Sequence, residues 1–99
     1  MAQPITRVDD MSTGHDTYLP RPATKGSPDV FVNGKAVNRE GDDWAPHGGI
    51  PGGPHSAETG HTTTGSSTVK ANGLGVTRIG DPVEADTSGG GSPNVFAGG

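Results

Sequence analysis

Four histidines are the residues of this chain best suited to chemistry: His15, His47, His55 and His61. No cysteine accompanies them, which excludes disulfides. Imidazole and carboxylate together make a donor set for zinc or iron, and structural zinc is usually four-coordinate. Spacing decides which donors belong together. His15 lies five residues after Asp10, and His47 lies five residues after Asp42. The residue five after Asp81 is Asp86. His61 precedes a Gly-Ser segment by four residues, close to the same loop end. Two imidazoles and a carboxylate at one repeat position would converge on a threefold axis. The candidate metal set is therefore His15, His47 and His61, with Asp86, His55 or water in fourth place. Asp86 ranks ahead of His55, because His55 falls in the Gly/Pro-rich insertion Pro54-His55-Ser56.

Other polar groupings promise less. Asp9-Asp10 and Asp42-Asp43 are paired acids of the kind that hold Mg²⁺ or exchange protons. Each closes an Arg-x-x-Asp string, where aspartate usually serves a turn. Arg7, Arg39 and Arg78 are expected to pair with those nearby carboxylates. Thr62-Thr63-Thr64 and Ser66-Ser67 form no nucleophile elbow, and no Gly-x-Ser-x-Gly occurs. Trp44, three residues before His47, would cover a ligand histidine, meet the Tyr18 loop or fill a small core.

The elements that must position these residues are read from an internal repeat. Gly26-Ser27-Pro28-Asp29-Val30-Phe31-Val32-Asn33-Gly34 resembles Gly65-Ser66-Ser67-Thr68-Val69-Lys70-Ala71-Asn72-Gly73, and Val37, Arg39, Gly41 and Asp42 meet Val76, Arg78, Gly80 and Asp81 at the same offset. A third, truncated copy runs from Gly91-Ser92-Pro93-Asn94-Val95-Phe96 to Gly98-Gly99, and Arg7-Val8-Asp9-Asp10 supplies a third Arg-x-x-Asp. Asn-Gly after an apolar run predicts hairpins with type I′ turns. Helical periodicity is nearly absent. Each unit is too short to bury a face alone, so the three must pack on one another. The variable loops, from Asp10 to Gly26, Asp42 to Gly65 and Asp81 to Gly91, would gather at one end, and the hairpin turns near the other.

Composition bounds the rest. Ninety-nine residues suit one domain, residues 1–99. Only 27% are hydrophobic, with 18 glycines and 9 prolines. So small an apolar content calls for a metal, oligomerisation or a partner surface. A net charge of −4 without a basic stripe argues against nucleic-acid binding. No apolar run follows Met1–Pro4 and none approaches a membrane span, so neither a signal peptide nor a transmembrane helix is expected.

These motifs resemble the PAAR-repeat family, the sharpened tips of type VI secretion spikes and contractile phage tails. The matching strings are Gly26 to Lys35, Arg39-x-Gly41-Asp42, Arg78-x-Gly80-Asp81-Pro82 and the closing Gly91 to Gly98, while Thr13-Gly14-His15 and Pro20-Arg21-Pro22 resemble the opening of short phage-like members. The resemblance covers nearly the whole chain. It implies an all-β, loop-rich cone of short strands with a pseudo-threefold internal repeat and a metal at the vertex. Its base would sit on a trimeric β-helical spike protein, one chain per trimer, with transient contact to a target membrane. By position, His15, His47 and His61 match the family's histidine ligands. The family's cysteine has no counterpart: Ala85 stands nearest its place, in Val83-Glu84-Ala85-Asp86. The name-giving Pro-Ala-Ala-Arg appears as Ala36-Val37-Asn38-Arg39 and Gly75-Val76-Thr77-Arg78.

The expectation is a non-catalytic structural tip holding one transition-metal ion, zinc ahead of iron. Its place would be a virion tail tip or the outside of a cell, reached through a contractile apparatus. The contact residues on the hairpin side would be Phe31, Asn33, Lys35, Lys70, Asn72, Leu74 and Phe96. Two rivals stand against it. One is a small metal-dependent hydrolase with an open coordination position. The other is a disordered Gly/Ser/Pro linker.

Overall fold

A computed structural model describes residues 2–14, 20–47, 58–83 and 86–99, and among them every regular element is β. The strands are β1 (Gln3–Pro4), β2 (Phe31–Val32), β3 (Lys35–Ala36), β4 (Asp43–His47), β5 (Glu58–His61), β6 (Lys70–Ala71), β7 (Leu74–Gly75), β8 (Pro82–Val83), β9 (Asp86–Thr87) and β10 (Phe96–Ala97). They form five antiparallel two-stranded ladders, β1–β10, β2–β3, β4–β5, β6–β7 and β8–β9. The all-β, short-stranded expectation is met.

Three of these ladders are one hairpin repeated. Phe31 stands opposite Ala36, Lys70 opposite Gly75, and Phe96 opposite Pro4. Asn33-Gly34 and Asn72-Gly73 turn the first two with φ of 55° and 78°, and 55° and 80°. Both central residues are left-handed, as a type I′ turn requires. The third hairpin is built from strands far apart in sequence, β1 and β10, with Gly98-Gly99 in the place of Asn-Gly.

The copies interlock around a ring. Antiparallel bridges join Ile5 to Arg78, Arg7 to Val37 and Arg39 to Val76. Between them, the Thr6 amide donates to the Thr77 carbonyl (2.8 Å), Asn38 to Thr6 (3.0 Å) and Thr77 to Asn38 (2.8 Å). Every bond of this ring runs between copies, so no copy satisfies its own ring amides, and an unpaired buried amide is costly. Glycine lets the start of each copy lie close against that copy's own hairpin strand. A Cβ on Gly26 would meet the Val37 carbonyl oxygen at 2.7 Å, and one on Gly65 the Gly75 and Val76 oxygens at 2.6 Å.

Beneath the hairpins lies an apolar cluster taking two residues from each copy: Val32 and Val37, Ala71 and Val76, Ala97 and Ile5. A second cluster, Ala23, Trp44 and Val83, lies among the loops. The ring residues Thr6, Asn38 and Thr77 are fully buried. Among the described residues, buried polar and charged side chains outnumber buried apolar ones, fifteen to nine. Hydrogen bonding therefore does much of the holding that a larger core does elsewhere.

After each Arg-x-x-Asp turn the chain leaves in an arm and comes back. The outgoing residues Ser12, Trp44 and Val83 bridge the returning residues Ser88, Ala23 and Thr62 of the neighbouring arm. The second arm carries the long β4–β5 ladder, with a bulge between Trp44 and His47. The third turns at once, pairing Val83 with Asp86.

Candidate functional site

The Arg-x-x-Asp strings close three identical clusters. In each, the Arg backbone amide and Nε donate to one Asp oxygen and Nη2 to the other. For Arg7 and Asp10 the distances are 2.8, 2.9 and 3.0 Å. They are 2.9, 2.7 and 3.0 Å for Arg39 and Asp42, and 2.8, 3.0 and 3.0 Å for Arg78 and Asp81. These hydrogen bonds raise the pKa of all three guanidinium groups, against burial and with help from the carboxylate charge. The remaining Nη1 reaches the next hairpin turn: Arg7 to Asn33 Oδ1 (3.1 Å), Arg39 to Asn72 Oδ1 (3.0 Å), Arg78 to the Gly98 carbonyl (2.9 Å). The same three oxygens accept from Ser92, Ser27 and Ser66. Each serine oxygen in turn accepts the amides two and three residues on, at Asn94 and Val95, Asp29 and Val30, and Thr68 and Val69. Asp10 and Asp42 are thus turn acids bound to arginine, and form no acid–base dyad.

Chemistry of another kind would have to sit in the arms. His15, His55, Tyr18 and Ala85 lie outside the described residues. His47 is at the outer end of β4, paired with Glu58, and His61 is at the inner end of β5, opposite Asp43. The two histidines therefore stand three residues apart along one ladder, about 10 Å. His61 is exposed, whereas Gly60 and Thr62 on either side are buried. Strand alternation makes His61 a residue of the outer face. Among the described residues, no three His, Cys, Asp or Glu side chains are gathered as a metal site.

Asp86 is placed differently from its counted partners. It stands on the returning strand β9 opposite Val83, just as Gly60 stands opposite Trp44. Counting five residues from Asp81 runs past the third arm's turn, whereas His47 at that count is still outgoing. Asp86 therefore takes the position of Gly60, and of Arg21 in the first arm. It is 3% exposed; its Oδ1 accepts from Thr13 Oγ1 (3.1 Å) and the Thr87 amide (2.7 Å), and its Oδ2 faces Arg21 Nε at 3.6 Å.

Trp44 fills the core. It is 1% exposed, packs with Ala23 and Val83, and donates from Nε1 to Thr62 Oγ1 (3.0 Å). Thr62 donates to Asn38 Oδ1 (2.8 Å), which also accepts from Thr77 (2.7 Å). Sequence reasoning met Thr62, Asn38 and Arg21 only within motif strings and gave them no structural role. The signal available for Thr62 was position: Ala23, Thr62 and Ser88 each stand four residues before a repeat serine.

On the hairpin side all seven expected contact residues are exposed. Phe31 (58%), Phe96 (53%) and Leu74 (40%) place one large apolar side chain on each hairpin. Met11, on the first arm, is also exposed. The Asn33 and Asn72 side-chain oxygens are committed to Arg and Ser, so these two residues serve the fold as well. No protein-family model matches the chain, and no curated protein matches it.

Proposed function

We propose that this protein is the tip of a contractile injection spike, a structural binding module whose hairpin side seats on the end of a trimeric β-helical protein. One observation carries the reading: three equivalent hairpins, each presenting a large exposed apolar side chain, surround a threefold ring of backbone hydrogen bonds. A homotrimer offers three equivalent strand ends to such a surface. One chain with threefold internal repetition engages all three ends without breaking the trimer's symmetry.

The arms point away from that seat and form the leading end of a cone. There His15, His47 and His61 would hold one zinc or iron ion, whose binding free energy adds to folding. The ion stiffens the vertex and no turnover is asked of it. Contact with a target membrane is brief and mechanical.

The test is a mass measurement of the protein mixed with the C-terminal β-helix of the trimeric spike protein from the same genome. One chain per trimer is expected. Three chains per trimer, or no complex, overturns the proposal.

A further inference from the structure

We infer that Asp86 is the buried counter-ion of Arg21, a positioning residue that ties the third arm to the first, and not a ligand of any metal held by the arms. Arg21, Gly60 and Asp86 occupy one position of the repeat, on the returning strands opposite Ser12, Trp44 and Val83. Strand alternation turns this position inward, and all three residues are buried. Its occupants are a cation, no side chain, and an anion.

The Arg21 and Asp86 side chains are 1% and 0% exposed and face each other at 3.6 Å. Two further contacts fix the guanidinium and its strand: Nη2 donates to the Val83 carbonyl (3.3 Å), and the Arg21 amide donates to Ser12 Oγ (3.0 Å). Arg21 therefore grips the third arm twice, at Val83 and at Asp86. Thr13 adds a grip from the same first arm on Asp86 Oδ1.

A cation seated on Asp86 would displace the guanidinium or sit against it. The first parts the guanidinium from a buried carboxylate it faces, and the second sets two cations against each other in a buried site; each costs stability. A charged pair in this layer adds to the small apolar cluster of the arms, which among the described residues is Ala23, Trp44 and Val83.

The experiment compares wild type with Asp86→Asn, Arg21→Met and the double variant Arg21→Met/Asp86→Leu, reading thermal midpoint and metal content by elemental analysis. Each single change should lower the midpoint by more than ~10 °C. The apolar double variant should recover most of that loss, because no charge is then buried alone. It should also keep the wild-type metal content. A double variant as unstable as the two single losses summed overturns the ion-pair assignment. A double variant that keeps its stability and loses the metal overturns the exclusion of Asp86 as a ligand. The stability outcome is independent of any metal, whereas the metal outcome rests on the function proposed above. Wild-type protein purified without metal would count against that function, and the midpoints alone would then decide the pair.

Discussion

At the scale of single residues, the repeat exposes its own exceptions. Gly41 and Gly80 turn the second and third Arg-x-x-Asp strings with φ of 84° and 96°, and Asp9 holds the same place with φ of 81°. A side chain in that region is strained, less so for Asp than for most. Asp9→Gly should therefore raise stability by about 0.5–1 kcal/mol in denaturant unfolding; a loss would mean that the Asp9 carboxylate has a partner of its own. Asp29 is held below the usual carboxylate range, first by the Asn72 amide (2.8 Å) and then by Ser27. A lowered folded-state pKa contributes stability above the unfolded value, about pH 4, and loses it as pH falls through the folded value. Asp29→Asn should lower stability slightly at neutral pH, where the charged form contributes, and flatten its further fall below about pH 4. Titration of the midpoint against pH decides, and an unchanged acid limb sinks the idea. For the histidines the expected outcome is one zinc or iron per chain, released by His47→Ala with a fall in thermal midpoint. Metal content unchanged in separate substitutions of His15, His47 and His61 would put the site elsewhere.

At the scale of elements, no strand pair here is stable alone, since four of the five ladders are two residues long and an isolated two-stranded ladder is marginal even when longer. The arms hold because side-chain hydrogen bonds run between them and the ring. Trp44 Nε1, Thr62 Oγ1, Asn38 Oδ1 and Thr77 Oγ1 form one buried chain linking the second arm to two copies of the ring. Trp44→Phe removes its first donor and leaves a void beside Ala23 and Val83. The combined cost should be about 2–3 kcal/mol, a midpoint lowered by ~10–20 °C. A change under ~4 °C would show that the arm folds independently of this chain of bonds.

At the scale of the whole molecule, the two sides of the ring are chemically unlike. The hairpin side carries exposed Phe31, Leu74 and Phe96 with Lys35 and Lys70, while the arms carry the histidines and Met11. If the hairpins are the seat, Phe31→Asp or Phe96→Asp should abolish binding to the spike end, because a charge would be desolvated at the junction. Met11→Asp, on the arm side, should leave binding intact. Sedimentation or pull-down with the β-helix fragment separates the two. Binding lost through Met11 and kept through Phe31 would invert the orientation.

The sequence by itself determined the repeat, and with it the hairpins, the Arg–Asp turns and the all-β class. These are local: Asn-Gly needs only its own two dihedral angles, and Arg7 finds Asp10 three residues away. What only the tertiary structure decided is what the copies do for one another. That Arg7 and Ser92 meet on Asn33, that Thr6, Asn38 and Thr77 close a ring, and that β1 and β10 form the third hairpin are contacts between segments 26 to 94 residues apart. No local pattern encodes them. Asp86 marks the boundary most clearly. Its distance from Asp81 in sequence matches that of His47 from Asp42, but the third arm turns sooner, so equal counts lead to opposite strands. Register is set by where a chain turns and by which face it must bury, and for Asp86 that means the place beside Arg21.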